Sequence, residues 1–164
     1  MAVASPQITR GNTQPFGVLG GYVPLQRGEA ALYRAIREAV PLVDACIYKI
    51  IRLCGGVTAR CDAPEAERSL RDFLEQVPVG RGQRGVNAFL DLYLDSMLVF
   101  GQGVGESVTT RDRREIAALL CHRPEDVEIR EGASPLEFSL CAMDEHGQME
   151  PLPCQELLLF TPFN

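Results

Sequence analysis

The sequence lacks a long apolar run and contains a single lysine. These two features limit the classes of protein to which the chain can belong. No stretch approaches the roughly 18–20 consecutive apolar residues that a membrane-spanning helix needs, so we expect no membrane partner. The first 17 residues lack the basic-then-apolar pattern of an export signal, so we expect a protein that is not exported. All the other 15 basic residues are arginine, the better partner for planar anions.

Motifs for catalysis and for nucleotide binding are missing as well. Gly101, Gly103 and Gly105 match part of a dinucleotide-binding fingerprint, but that fingerprint follows a strand and opens a helix, and the predicted order here is reversed. The loop VGRGQRG, residues 79–85, lacks the GK[ST] ending of a P-loop. We therefore predict that the protein is not an enzyme and uses no cofactor.

Cysteine and histidine are the soft metal-ligand types, and their spacing gives no metal signature. The chain has no CxxC or HxxxH pair, and adjacent residues such as Cys121 and His122 seldom reach one ion together. We expect free, mostly buried thiols rather than disulfides. The alternative is a small cytosolic zinc-binding or enzymatic module built from these side chains: Cys46, Cys54, Cys61, Cys121, His122, Cys141, His146 and Cys154.

The net charge of -6 is concentrated in the last quarter of the chain. Residues 1–120 carry 14 basic and 13 acidic side chains, whereas residues 121–164 carry 2 basic and 9 acidic ones. An acidic surface repels phosphate backbones, which argues against autonomous nucleic-acid binding. Five loop arginines are the candidates for contact with a neighbouring subunit or with passing DNA: Arg81, Arg84, Arg111, Arg113 and Arg114.

Apolar residues recur every three or four positions in the first hundred residues, which predicts four helices. They cover residues 28–40, 41–54, 62–76 and 85–100, with a short strand predicted at 57–61. Asp62 and Glu65 have the spacing of a capping box at the third helix. The fourth, central helix ends at Gly101, because glycine favours the left-handed residue of a helix end. We expect Asp91, Asp95 and Ser96 to face water or a partner.

After Gly105 the pattern changes to alternating apolar and polar residues, which predicts antiparallel strands. Residues 115–121 fit a strand or a short helical turn, and Pro151 and Pro153 mark an edge strand. Helices first and strands second give an α+β fold, with N-terminal helices packed on a mainly antiparallel sheet. We assign residues 1–27 to a flexible arm and 28–164 to one α+β domain. Because the chain stops just after an apolar run, we expect it to be part of a longer protein.

Four segments, in order, resemble the N-terminal half of a tailed-phage portal protein. They are PLVDACIYKIIRLCGGV (41–57), FLDLYLDSMLVFGQGVGE (89–106), IAALLCHRPEDVEIR (116–130) and LPCQELLLFTPFN (152–164). The resemblance spans residues 28–164 and is carried by structural patterns rather than by catalytic signatures.

The resemblance implies a structural role in a homo-oligomeric ring at one vertex of a capsid. Its implied partners are copies of itself, the large terminase subunit, capsid and head-completion proteins, and double-stranded DNA that passes through without sequence-specific contacts. The implied location is the virion and the cytoplasm of a bacterial host, and this segment would form the first part of the portal wing. A subunit that packs beside copies of itself should expose apolar patches when isolated.

Overall fold

The computed structural model describes residues 25, 27–80, 82–131, 138–143 and 146–162. Within them lie four α-helices: α1 (Arg27–Ala39), α2 (Pro41–Cys54), α3 (Pro64–Gln76) and α4 (Val86–Phe100). The strands are β1 (Pro78–Gly80), β2 (Gln83–Arg84), β3 (Gln102–Thr109), β4 (Ile116–Cys121), β5 (Val127–Glu131), β6 (Phe138–Met143), β7 (Met149–Pro151) and β8 (Leu158–Pro162). Residues 1–24 of the predicted arm lie outside this description.

Three small sheets hold these strands, in the orders β1-β2, β4-β3-β8 and β5-β6-β7. Every pairing among them is antiparallel. The predicted α+β class with antiparallel sheets is therefore confirmed. None of the described helices combines the length and apolar character that crossing a membrane requires.

Helix α2 begins and ends where proline and glycine predict. Pro41 occupies the first turn of α2, where its missing N–H breaks no helical hydrogen bond. Gly55 follows α2 with φ 72°, and its N–H donates to the Arg52 carbonyl.

The start of α3 corrects the predicted capping box. Pro64 is the first helical residue, and the cap is Ala63 in an extended conformation, without a side-chain hydrogen bond. Because a residue before proline is forced towards the extended region, Ala63 takes the cap position and Asp62 lies one residue too early. No residue of α3 is fully buried, and the apolar Ala66 and Leu70 are exposed.

The strand predicted at 57–61 is absent, since these residues are irregular. Val57 donates its N–H to the Asn87 side-chain oxygen at 2.7 Å, and no described strand pairs with this stretch. Alternation of side chains cannot create a strand where no neighbouring strand offers hydrogen bonds. Conversely, the loop 78–85 contains the short β1-β2 hairpin, which the sequence did not predict.

The core is organised around the junction between α4 and β3. Gly101 takes the left-handed conformation, φ 73°, and donates to the Met97 carbonyl, as predicted for a helix end. β3 then passes directly against α4. A Cβ added to Gly103 would lie 2.8 Å from the Tyr93 ring, and one added to Gly105 would lie 2.8 Å from Phe89.

β3 separates the two apolar clusters of the core. Gly103 and Gly105 face α4, while Val104 between them points to the opposite side, as strand geometry requires. The cluster on the α4 side contains Val77, Val79, Phe89 and Leu119, and the cluster on the other side contains Val104, Val127 and Leu140.

The strands after α4 agree with the sequence predictions, with the differences given below. Residues 116–121 form a strand, so the helical alternative is wrong there, and β7, which ends at Pro151, lies at a sheet edge as predicted. In β6, Leu140 and Cys141 lie on opposite faces of the strand and are both buried, 3% and 1% exposed. One face of β6 packs on the core, and the other face is also shielded from solvent.

Candidate functional site

Helices α1 and α2, with Val40 between them, carry exposed apolar side chains, which we group under the name apolar helix face. Its members are Leu32, Ile36, Val40, Leu42, Cys46, Ile50 and Leu53. Leu32 and Ile36 of α1 and Val40, directly after it, recur every four residues. On α2, Leu42 and Leu53 are 72% and 73% exposed, values unusual for leucine.

This face exists because α2 is apolar on two sides. Helical periodicity puts Val43, Ile47 and Ile51 together on one side, and Ile51 is only 6% exposed. Leu42 and Leu53 lie eleven residues apart, about three turns, so they share the other side. Both α1 and α2 pack against α4, which buries one side of each helix and leaves the second apolar stripe uncovered.

Arg37 fixes the two helices on the body of the protein. Its guanidinium donates two hydrogen bonds to the Asp95 carboxylate of α4, at 2.7 and 2.8 Å, and a further one to Asp44 of α2. These bonds, led by that to Asp95, raise the pKa of Arg37 above its ordinary value, and burial opposes them only in part. Arg37 therefore fixes the orientation of α1 and α2 relative to α4. Asp95, which was predicted to face water or a partner, forms these hydrogen bonds within the chain.

A second arginine ties α1 to the turn after β4. Arg34 bonds the Glu125 carboxylate, and its guanidinium lies 5.1 Å from the centre of the Phe100 ring. The Glu125 side chain is only 6% exposed, and its Oε2 has no hydrogen-bond partner among the described residues. If Arg34 were removed, the buried Glu125 carboxylate would lose its partner, so breaking this pair is costly in stability.

Ser96 also differs from its prediction, because it is buried. Its hydroxyl donates to the Gln102 carbonyl at 3.0 Å, and the Gln102 amide donates to the Pro124 carbonyl at 3.0 Å. Ser96 therefore contacts the protein interior and is inaccessible to a partner, whereas Asp91 is exposed as predicted.

An open cavity of about 610 Å³ lies beside this network, between α1, α4 and β4. Its lining mixes apolar groups such as Leu92 and Phe100 with the charged Arg34, Asp95 and Arg123. Charged groups of both signs therefore line the cavity.

Cys121 and His122 line this cavity but do not form a catalytic pair. The Cys121 thiol donates to the Phe89 carbonyl, and burial raises its pKa to about 11. The His122 ring instead lies 2.8 Å from the Glu106 carboxylate. A thiol that stays protonated and an imidazole bonded elsewhere lack the geometry of nucleophilic catalysis.

The other candidate ligands are scattered. Across the part of the chain that the structure describes, no three His, Cys, Asp or Glu side chains are placed to hold a metal ion. All six cysteines are free: Cys141 is buried, Cys121 is half-buried, and Cys46, Cys54, Cys61 and Cys154 are exposed. The expectation of mostly buried thiols is therefore wrong, because Cys46 lies on the exposed stripe of α2, Cys54 ends that helix, and the other two lie in irregular segments open to solvent.

Comparison with known proteins leaves the family open. No model of a protein family and no curated protein matches this chain. The portal resemblance therefore stays a hypothesis carried by the four segments.

The candidate arginines occupy exposed positions on two hairpins, and Arg81 lies outside the described residues. Arg84 is exposed on β2, and Arg111, Arg113 and Arg114 are exposed in the turn between β3 and β4. Arg113 lies 3.4 Å from the Glu156 carboxylate and Arg114 lies 3.9 Å from Asp112, so acidic neighbours offset part of their charge. Contact with a subunit or with DNA stays a prediction for these residues.

Sequence reasoning missed the residues that position the apolar helix face. Arg37 and Asp95 are 58 residues apart, and Arg34 and Glu125 are 91 apart, so no local spacing links them. The unusual width of the apolar surface on α2 was visible in the sequence, and it is the signal that could have indicated a second interface.

Proposed function

We propose that this chain is a structural subunit of a phage portal ring and packs beside copies of itself at a capsid vertex. The observation that carries the proposal is the apolar helix face, in which six large apolar side chains are 42–73% exposed on two fixed helices. Apolar surface of this kind on a soluble protein marks an interaction site. A subunit that repeats around a ring needs such a surface on every copy.

The charge of the chain fits the same role. In the proposed ring, double-stranded DNA passes through without sequence-specific contacts, and the terminase large subunit, capsid proteins and head-completion proteins dock on the ring. The excess of acidic over basic groups, 9 against 2 in residues 121–164, disfavours tight phosphate binding. Weak contact suits a passage through which DNA must move. Catalysis has no part in this proposal.

Negative-stain electron microscopy of the purified chain tests the proposal. We expect closed particles with rotational symmetry. Leu42→Asp should abolish them, because it places a charge on the apolar helix face, while an acidic residue in the first turn of α2 remains compatible with the helix dipole. Tyr48→Asp is the matched control, since Tyr48 is 55% exposed on another side of α2.

Two outcomes would overturn the proposal. One is a wild-type chain that shows only single subunits at high protein concentration. The other is a Leu42→Asp variant that forms the same particles as the wild type, since the apolar helix face would then have no part in assembly.

A further inference from the structure

Helix α1 lies on the body of the protein with its apolar stripe pointing outward. Leu32 and Ile36 are 56% and 43% exposed, and Ala30 is the only fully buried side chain among those described in α1. Helical periodicity places Arg34 and Arg37 on the same side as Ala30, so this side faces the body. An amphipathic helix of a globular protein ordinarily buries its apolar stripe. Burial of large apolar side chains therefore contributes little to the attachment of α1.

Bonds between charged groups supply much of that attachment instead. Arg34 bonds the Glu125 carboxylate after β4, and Arg37 bonds Asp95 of α4 and Asp44 of α2. The arginine side chains are 43% and 28% exposed, so solvent and dissolved ions reach both of them. Attraction between accessible charges weakens as the salt concentration rises. The position of α1 is therefore sensitive to charge, and a helix anchored by a buried apolar stripe would not be.

We propose that α1 is an electrostatic strap, which opens from the body when its arginine bonds are released while the rest of the chain stays folded. A helix of 13 residues is marginal in water without tertiary contacts, so a released α1 also loses its helical hydrogen bonds. The Glu125 carboxylate gains water when α1 leaves, which offsets the loss of Arg34. The inference concerns a single chain and does not rest on the proposed ring.

Opening of the strap changes two surfaces. The cavity between α1, α4 and β4 loses the wall that Arg34 provides, so Phe100 and Leu92 on α4 become more accessible. Leu32 and Ile36 move with α1, so the apolar helix face loses its members on that helix. The strap therefore determines whether the apolar side chains of α1 and α2 are presented together.

Hydrogen exchange read by mass spectrometry tests the strap, because it reports the opening of α1 separately from that of α4. Arg34→Gln with Arg37→Gln removes both charges and keeps side chains of good helix propensity. We expect amides 30–39 to exchange at least about tenfold faster than in the unchanged chain, equivalent to about 1.4 kcal/mol, while α4 keeps its rate. Raising the salt from about 0.1 M to about 1 M should speed exchange in α1 of the unchanged chain and have little effect on the double variant.

Ile36→Gln is the matched control, because it removes an apolar group from the outward side of the same helix and leaves both arginines in place. It should change the exchange rate of α1 by about twofold or less, as expected for a surface position. Arg68→Gln, at an exposed position of α3, controls for the loss of a positive charge. Each comparison is made in the wild-type background and again with Leu42→Asp, so that contact between copies cannot shield α1.

Two results would overturn the inference. One is an equal effect of Ile36→Gln and of the double arginine variant, since apolar packing would then hold α1. The other is exchange in α1 and α4 that accelerates together, since α1 would then open only when the whole chain unfolds. Neither result bears on the proposed ring, which is judged from the particles formed by the wild-type chain.

Discussion

Gly103 and Gly105 are glycine because of space rather than backbone conformation. Neither has a positive φ, but the rings of α4 occupy the volume that a Cβ would fill. At Gly103 the Met97 side chain also lies 2.9 Å from the ideal Cβ position. Real Cβ atoms do not tolerate such contacts, so any larger residue must displace these side chains of α4.

Gly105→Ala should therefore lower the free energy of unfolding by about 1–3 kcal/mol, the usual cost of overpacking. Chemical denaturation followed by circular dichroism measures this change. Gly28→Ala is the control, because Gly28 lies in α1 with nothing within 4 Å of its ideal Cβ, and alanine favours a helix. Equal midpoints for the two variants would show that α4 and β3 are not in close contact.

Cys121 makes stability depend on pH above neutrality. Its folded pKa is raised to about 11 by burial, whereas a cysteine in an unfolded chain titrates near about 8.5. The folded state therefore holds the proton more tightly, and its stabilisation is complete below the unfolded pKa and lost as pH rises towards 11.

We expect the denaturation midpoint of the wild type to fall more steeply between pH 8 and pH 10.5 than that of Cys121→Ser, since a serine hydroxyl does not titrate there. Burial also raises the pKa of Tyr93, which adds a loss of the same sign to both proteins. Parallel pH profiles for the two proteins would contradict the assigned environment of Cys121.

Thiol labelling and metal analysis test the rival zinc-binding account. In the native protein at pH 8, four cysteines should react quickly with a thiol reagent: Cys46, Cys54, Cys61 and Cys154. Cys141 and Cys121 should react only slowly until denaturant is added, since one is buried and the other keeps its proton. Stoichiometric zinc together with protection of the exposed thiols would instead favour the rival account.

At the scale of elements, Arg37 of α1 is the residue that bonds both to α2 and to α4. Arg37 is 28% exposed and Asp95 is 30% exposed, so water screens their bond only in part. The exposed pair of Arg71 and Glu67 on α3 offers a comparison, because it lies within one helix and Arg71 is 64% exposed.

Arg37→Ala should cost about 1–3 kcal/mol of stability, the range for hydrogen bonds to charged groups in a partly buried site. Arg71→Ala should cost about 0.5 kcal/mol or less. Denaturation at low and high salt measures both changes. If Arg37→Ala is as mild as Arg71→Ala, the bonds of Arg37 contribute little, and α1 and α2 are held by packing on α4 and by the Arg34–Glu125 pair.

Element ends could be predicted where the chemistry is local. Pro41, Gly55 and Gly101 act on their own backbone, so the limits of α2 and the end of α4 followed from the sequence. The capping box failed because Pro64 overrides Asp62, and the strand at 57–61 failed because a strand requires a neighbour. The β1-β2 hairpin was missed because three-residue and two-residue strands leave too short a pattern.

At the scale of the molecule, the α+β class followed from the order of helical and alternating patterns, but the candidate site did not. A sequence stripe shows that residues are apolar and cannot show whether another element covers them. Leu42 and Ile51 have similar side chains, yet one is 72% exposed and the other 6%. The ion pairs that orient the helices join residues far apart in the chain, which only the fold brings together.

The molar mass of the intact chain in solution tests the central claim most directly. Light scattering coupled to size exclusion, run over a range of protein concentrations, measures it without a label. The account predicts a mass several times the 18.0 kDa of one chain, and a return to 18.0 kDa for Leu42→Asp. A wild-type mass of 18.0 kDa at every concentration would contradict it.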